Sequence, residues 1–139
     1  MTTVTNCYDA DLIEAMILEA KLPKFDDFSI RTWLDDPNNV TLINENGDCA
    51  LFEYIPGTHG RYIGHYLFGS RGKEALKTAN SFLFIMFAYY NAQCILGMVD
   101  KSKRNVSLFT RWLGFSWDGE VDTLGGTCDL FSLNRKDFK

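Results

Sequence analysis

No apolar stretch in this 139-residue chain reaches the ~18 residues that would suggest a membrane span, so no membrane partner is expected. The N-terminus, Met1 to Tyr8, lacks a basic stretch followed by an apolar one, which predicts no secretory signal. The four cysteines, Cys7, Cys49, Cys94 and Cys128, stand 42, 45 and 34 residues apart. They form no C-x-x-C pair and no cluster with histidine, so a structural zinc site has no support and no metal is expected. Cys49, Cys94 and Cys128 sit among apolar neighbours, which reads as small buried thiols in a reducing cytoplasm. None has a neighbouring His or cationic run of the kind a catalytic thiolate needs. The formal charge of −4 gives no basic footprint, which argues against nucleic-acid binding. Internal repeats, low-complexity tracts and linkers are also missing, so residues 1–139 read as one domain.

What is present supports a folded core: 46% of residues are hydrophobic and 14% aromatic, which excludes global disorder. Residues 9–20 read as a helix, with Asp11 and Glu14 at its start and Leu12, Ile13, Met16 and Ile17 as its apolar stripe. Residues 25–35 read as a second helix, with Phe25, Phe28 and Trp33 inward, stopped by Asp36-Pro37-Asn38-Asn39. Strands follow at 40–44, 49–55 and 61–68, with Asn46-Gly47 as a two-residue hairpin turn. In 61–68, alternation puts Ile63, His65 and Leu67 on one face and Tyr62, Tyr66 and Phe68 on the other. The period then changes. Residues 73–90 show helical spacing, and 93–99 is a short apolar run typical of a buried strand. A helix between two strands predicts parallel pairing of 61–68 with 93–99. A basic helix over 103–113 ends at Gly114, and two last strands begin near Phe115 and at 127–134. The order α-α-β-β-β-α-β-α-β-β predicts an α+β fold with a mixed, mostly antiparallel sheet flanked by helices. Tyr89, Tyr90, Trp112, Phe115 and Trp117 are expected in the core.

The most informative junction is Phe68-Gly69-Ser70-Arg71-Gly72-Lys73-Glu74-Ala75-Leu76, where a strand enters a small loop that opens a long helix. The first turn of such a helix has unpaired N–H groups and the positive end of the macrodipole. With Arg71 and Lys73 beside them, they suit a pyrophosphate; a tight turn with solvated bases is the other reading. The stretch is neither a P-loop nor a G-x-G-x-x-G fingerprint.

Element order and residues together resemble the GNAT-type N-acetyltransferases, and within them the short versions often encoded by phages. In that family a strand, a loop of pattern Q/R-x-x-G-x-G/A and a long helix bind the pyrophosphate of acetyl-CoA. Arg71-Gly72-Lys73 fits its common opening, though Glu74 falls at the central Gly and Leu76 at the last position, with Ala75 one residue away. Lys103-Arg104-Asn105 through Leu113-Gly114-Phe115 looks like the family's Asn-led helix ending in L-G-F. Gly119, Asp129 and Arg135 look like the tail of the phage-type members.

The resemblance implies acetyl-CoA as co-substrate and direct attack by an amine on the thioester. It places the acetyl carbonyl against backbone amides near Leu67 and Phe68, and the cofactor along Ser70, Arg71, Gly72, Lys73, Glu74 and Ala75. Asn105 can bond the pantetheine arm or cap its helix. Arg104, with Lys101 and Lys103, can meet the 3′-phosphate of CoA or form a solvated basic face. For the base, His65 titrates near neutrality and lies on the strand leading into the loop; its other reading is a packed strand residue. Glu53 is the runner-up, as a semi-buried carboxylate or a solvent-face residue. Four residues before Gly114, where the family has a Tyr acid, the chain has Thr110.

The competing expectation is a GNAT-like binding or structural module without turnover, such as a phage assembly or host-interaction part. Monomer and homodimer stay open. Charge is split: residues 1–60 hold 11 acids and 3 bases, net −8, and residues 61–139 hold 7 acids and 11 bases, net +4. The basic half holds every proposed CoA contact, so an acidic rim on the other half, with Asp26, Asp27, Asp35 and Asp36, would receive a cationic amine.

Overall fold

The computed structural model describes residues 4–6, 11, 12, 15, 30–67 and 71–138. In chain order these give β1 (Val4–Asn6), α1 (Ile30–Asp35), β2 (Val40–Asn44), β3 (Cys49–Tyr54), β4 (Arg61–Leu67), α2 (Gly72–Ala88), β5 (Cys94–Asp100), α3 (Arg104–Trp112), β6 (Ser116–Thr123) and β7 (Gly126–Asn134). A single 3-10 turn, Arg135–Asp137, follows. Asp11, Leu12 and Ala15 are helical, as expected; the rest of the helix read over 9–20, the start of that over 25–35, Asp26, Asp27 and Cys7 lie outside the described residues.

Seven strands among the described residues form one mixed sheet in the order β1-β2-β3-β4-β5-β7-β6. Every neighbouring pair is antiparallel except β4 and β5. That parallel pair is the one the intervening helix predicted, since a parallel connection needs a crossover. β1 was not foreseen: three residues, Val4–Asn6, are too few to show alternation. The β2–β3 turn falls where Asn46-Gly47 placed it, but it closes through residues 45–48. Asn44 is the reason. Its buried Oδ1 accepts from the N–H of Asn46 at 3.0 Å and of Asp48 at 2.9 Å, and its Nδ2 donates to Thr78 of α2 at 3.5 Å.

One face of the sheet packs on α2. Ala75, Thr78, Ala79, Phe82, Leu83, Met86 and Phe87 of that helix are buried, a spacing of three and four that makes one stripe. They meet Val40, Leu42, Ala50, Phe52, Tyr62, Ile95, Phe131 and Leu133 from alternate strand positions. The L-G-F ending works as packing: Gly114, at φ 101°, turns the chain so that Leu113 and Phe115 both enter this core. Their aromatic neighbours do not follow. Trp112 is 69% exposed, Trp117 48% and Tyr89 76%: Trp112 and Tyr89 lie at helix ends, and Trp117 shares the face of Phe131 but stands on β6, the edge strand of the sheet. Cys49 and Cys94 are buried and Cys128 half-buried, all as free thiols.

Candidate active site

The site begins with an interruption in the sheet. β4 and β5 pair through three residue pairs only, Arg61↔Cys94, Tyr62↔Ile95 and Ile63↔Leu96. Beyond Ile63 the ladder stops, although β4 runs on to Leu67 and β5 to Asp100. Each strand is held on its far side along its whole length: β4 to β3 from Tyr54↔Tyr62 to Cys49↔Leu67, and β5 to β7 from Cys94↔Asn134 to Asp100↔Cys128. The sheet is thus two rigid halves joined at one end and split at the other. Along the split, alternate N–H and C=O groups of β4 meet no partner strand among the described residues, in the middle of a sheet rather than at its edge.

Two glycines stand where the ladder ends. Continuing the register from Ile63↔Leu96 sets Gly64 opposite Gly97. Both belong to the helix-covered face, since a Cβ on Gly64 would meet Phe52 and Ile95, and one on Gly97 would meet Phe131. Neither strand therefore offers a side chain to hold a cross-strand pair there. Isolated glycines inside strands signal close backbone approach, and that sequence cue points at this position.

The open end of the split meets α2. Arg71, at the N-cap, is extended (φ −134°, ψ 163°) and its side chain does not cap α2, whose first-turn amides have no partner within the helix. Arg71, Gly72, Lys73 and Glu74 are exposed there, while the Ala75 side chain is buried. Phe68 and Ser70 lie outside the described residues, and Leu67 closes β4.

On the face away from α2, alternation sets His65 beside the split, cross-strand from Leu51. His65 is half-buried, and burial lowers its pKa from the ordinary 6.5, so the ring is neutral at pH 7. Glu53 is on the same face but one pair earlier, opposite Ile63, where β4 and β5 are still joined. It is exposed rather than semi-buried, because no described element covers that end of β3. Asp100 also shares this face, at the mouth of the split. Its Oδ1 accepts from the N–H and the hydroxyl of Ser102 at 2.9 and 2.7 Å, bonds that hold its carboxyl below the usual range. The sequence does not single out Asp100, because its place at the end of a strand is legible there but the split beside it is not.

The structure takes the basic cluster elsewhere. Arg104 lines a shallow cavity of about 310 Å³ with Lys101, Ser107, Leu108, Arg111 and Asp129. Asp129 is on β7, so this cavity lies on the far side of β5 from the split. Asp129 accepts from Trp117 Nε1 at 3.1 Å and Ser107 Oγ at 3.4 Å, and Lys101 pairs with Glu120 at 2.5 Å. A helix turns ~100° per residue, so Asn105 leaves that flank; it is exposed one turn before Phe109, which packs on the core. Thr110, where the family has its Tyr, is buried and donates to the carbonyl of Val106 at 2.8 Å, which makes it a helix-packing residue. Asp35 and Asp36 sit at the closed end, since neighbouring Asn39 accepts from the N–H of Tyr54, the last residue of β3. They form no rim at the split.

The same architecture recurs among solved structures. A spermidine N-acetyltransferase from Vibrio cholerae, in complex with CoA and spermine, matches with a TM-score of 0.75 at 13% identity, over 98% of this chain and 96% of that one. The chain has the GNAT fold. Mutant forms of the Vibrio cholerae spermidine/spermine N-acetyltransferase match with a TM-score of 0.75 at 12% identity, over 97% and 94% of the two chains. An uncharacterized protein from Bacillus halodurans matches with a TM-score of 0.76 at 14% identity, over 99% and 86%. No protein-family model matches the chain, and no curated protein matches it in sequence.

Proposed function

We propose that the protein is an acetyl-CoA-dependent N-acetyltransferase acting on an amine. The observation that carries this is the split between β4 and β5, open beside the uncapped N-terminus of α2. A thiol arm needs a slot with unpaired amides along it, and a pyrophosphate needs a helix start; here the two adjoin. The solved relative that holds CoA and spermine has this fold.

Acetyl-CoA supplies an acetyl group on a thioester, whose C–S bond breaks as a C–N bond to the acceptor forms. The first-turn amides of Gly72, Lys73, Glu74 and Ala75, with the charges of Arg71 and Lys73 and the loop at Ser70, hold the pyrophosphate. Asn105 flanks the arm. Amides of the free β4 edge, toward Leu67 and Phe68, donate to the carbonyl oxygen as it gains charge. Asp100 gives a cationic amine its counter-charge. His65, neutral through burial, takes one proton from the ammonium, and the freed lone pair attacks the carbonyl carbon. The sulfur leaves with the bonding pair and is protonated, so each turnover releases one net proton. Glu53 is the second candidate for the base. Arg104 stands outside this site, on the β7 flank of α3.

Two residues favour a second reading, a GNAT-like module that binds without turnover: Glu74 at the loop's central position, and Thr110 committed to Val106. The short phage-encoded subtype rests on Arg71-Gly72-Lys73 and Leu113-Gly114-Phe115. Calorimetric titration with acetyl-CoA, followed by turnover on an amine panel, separates the readings. Saturable heat and acetylated amine, with turnover lost at least ~100-fold in His65→Ala, are expected. No heat at millimolar ligand removes the enzyme reading and leaves a structural module; heat without turnover leaves a CoA-holding module; unchanged turnover in His65→Ala removes His65 as the base.

A further inference from the structure

On the face opposite α2, Met98 sits mid-strand in β5, an interior strand, yet is 43% exposed. Large apolar residues at such positions are ordinarily covered. Leu130, its cross-strand partner, and Leu96, two residues before it, share that face and are only half-buried. Continuing the register from Ile63↔Leu96 sets Met98 across the split from His65. An open apolar floor therefore adjoins the proposed base.

Among the described strand residues charge on this face is sparse, though Asp118 of β6 lies within electrostatic reach of Cys94. Asp100 is the one charged residue of β5, at the mouth of the split. Alternation gives β7 Cys128, Leu130, Ser132 and Asn134 on this side, none of them charged. Toward the closed end stands Arg61, paired with Cys94, and Glu53 lies diagonal to it across β3 and β4, where the two offset each other.

We propose that the acceptor is a primary amine carried on an apolar alkyl or aryl body, and that Met98 selects for it. This rests on the acetyl-transfer reading. The single cation lies between Asp100 and His65, and the apolar body covers Met98, Leu96 and Leu130. A second cation further along the body finds no carboxylate on β5 or β7 and approaches Arg61.

The test compares hexylamine with hexane-1,6-diamine, which differ by one terminal amine, using acetyl-CoA and the whole chain. The wild type is expected to favour hexylamine by about tenfold in kcat/KM, the scale of one buried apolar or polar group in a specificity pocket. Met98→Glu is expected to abolish or reverse that ratio, while Met98→Leu keeps it, with CoA affinity by calorimetry the same in all three proteins. Because Met98 is so exposed, both variants are expected to melt with the wild type. A wild type that favours the diamine, or a Met98→Glu variant that lowers both substrates by one factor, overturns the proposal and leaves acetyl transfer standing. Absent CoA binding overturns acetyl transfer and this proposal with it.

Discussion

Adding one methyl group at each of the two glycines that face each other across the split should change stability with opposite signs. A Cβ on Gly64 would lie 3.2 Å from Cε1 of Phe52 and 3.4 Å from Cγ2 of Ile95. Both neighbours are 0% exposed, so neither has space to retreat into. Overpacking of this kind costs about 1–3 kcal/mol. Against it stands a gain of ~0.5–1 kcal/mol, because alanine loses less backbone entropy than glycine in a strand. Gly64→Ala is therefore expected to destabilise by about 1–2 kcal/mol. A Cβ on Gly97 would meet only Cβ of Phe131, at 3.9 Å, an ordinary contact. With no clash to offset the entropic gain, Gly97→Ala is expected to be neutral or stabilising by up to ~1 kcal/mol. Urea unfolding followed by fluorescence reads both, with Tm moving about 2–4 °C per kcal/mol at this size. Phe52→Leu in the Gly64→Ala background should recover part of the loss, since it removes the closer contact. A Gly64→Ala protein as stable as the wild type would refute the packing reasoning. So would equal losses at the two glycines, which would mean that any side chain at the split strains the sheet.

His65 should write itself into pH dependence twice. Its pKa is lowered in the folded chain, so below its ordinary 6.5 the unfolded state binds the proton first. Its stability contribution is present above 6.5 and falls away as pH drops toward the folded value. A stability-versus-pH curve should be flatter in that window for His65→Gln, and an unchanged slope would deny the burial. The acid limb of kcat/KM, which reports the free protein, should likewise lie below 6.5, and a limb above it would point to another base. Asn44→Ala removes one acceptor for two turn amides, a buried one of Asp48 and a part-buried one of Asn46, and the link to Thr78. About 2 kcal/mol should be lost in denaturant unfolding, most of it the cost of stranded donors, and a loss under 0.5 kcal/mol would mean water replaces the side chain.

Much of the architecture was legible because its signals are local. The spacing of Ala75, Ala79, Phe82, Leu83, Met86 and Phe87 requires a helix with one buried face, and a helix between two strands requires parallel pairing. The loop motif and the L-G-F ending carried the resemblance whose fold the structure shows. The errors fall where a residue's role depends on its neighbours across space. Trp112 and Trp117 have core-type side chains, but Trp112 ends its helix in the open and Trp117, on the face of Phe131, stands on the edge strand.

Composition, periodicity and the loop motif thus determined by themselves an α+β chain, the parallel crossover and the start of the long helix after the loop. These depend on backbone periods of 2 and 3.6 residues and on residue types at short spacing. Only the tertiary structure decided that β4 and β5 part after three pairs, and that His65, Met98 and Asp100 share one face of the opening. Residues 65 and 98 lie far apart in the chain, and no local pattern records where a ladder between them ends. That depends on register, on the rigid strands flanking each side, and on two glycines that leave the gap without a side chain to close it.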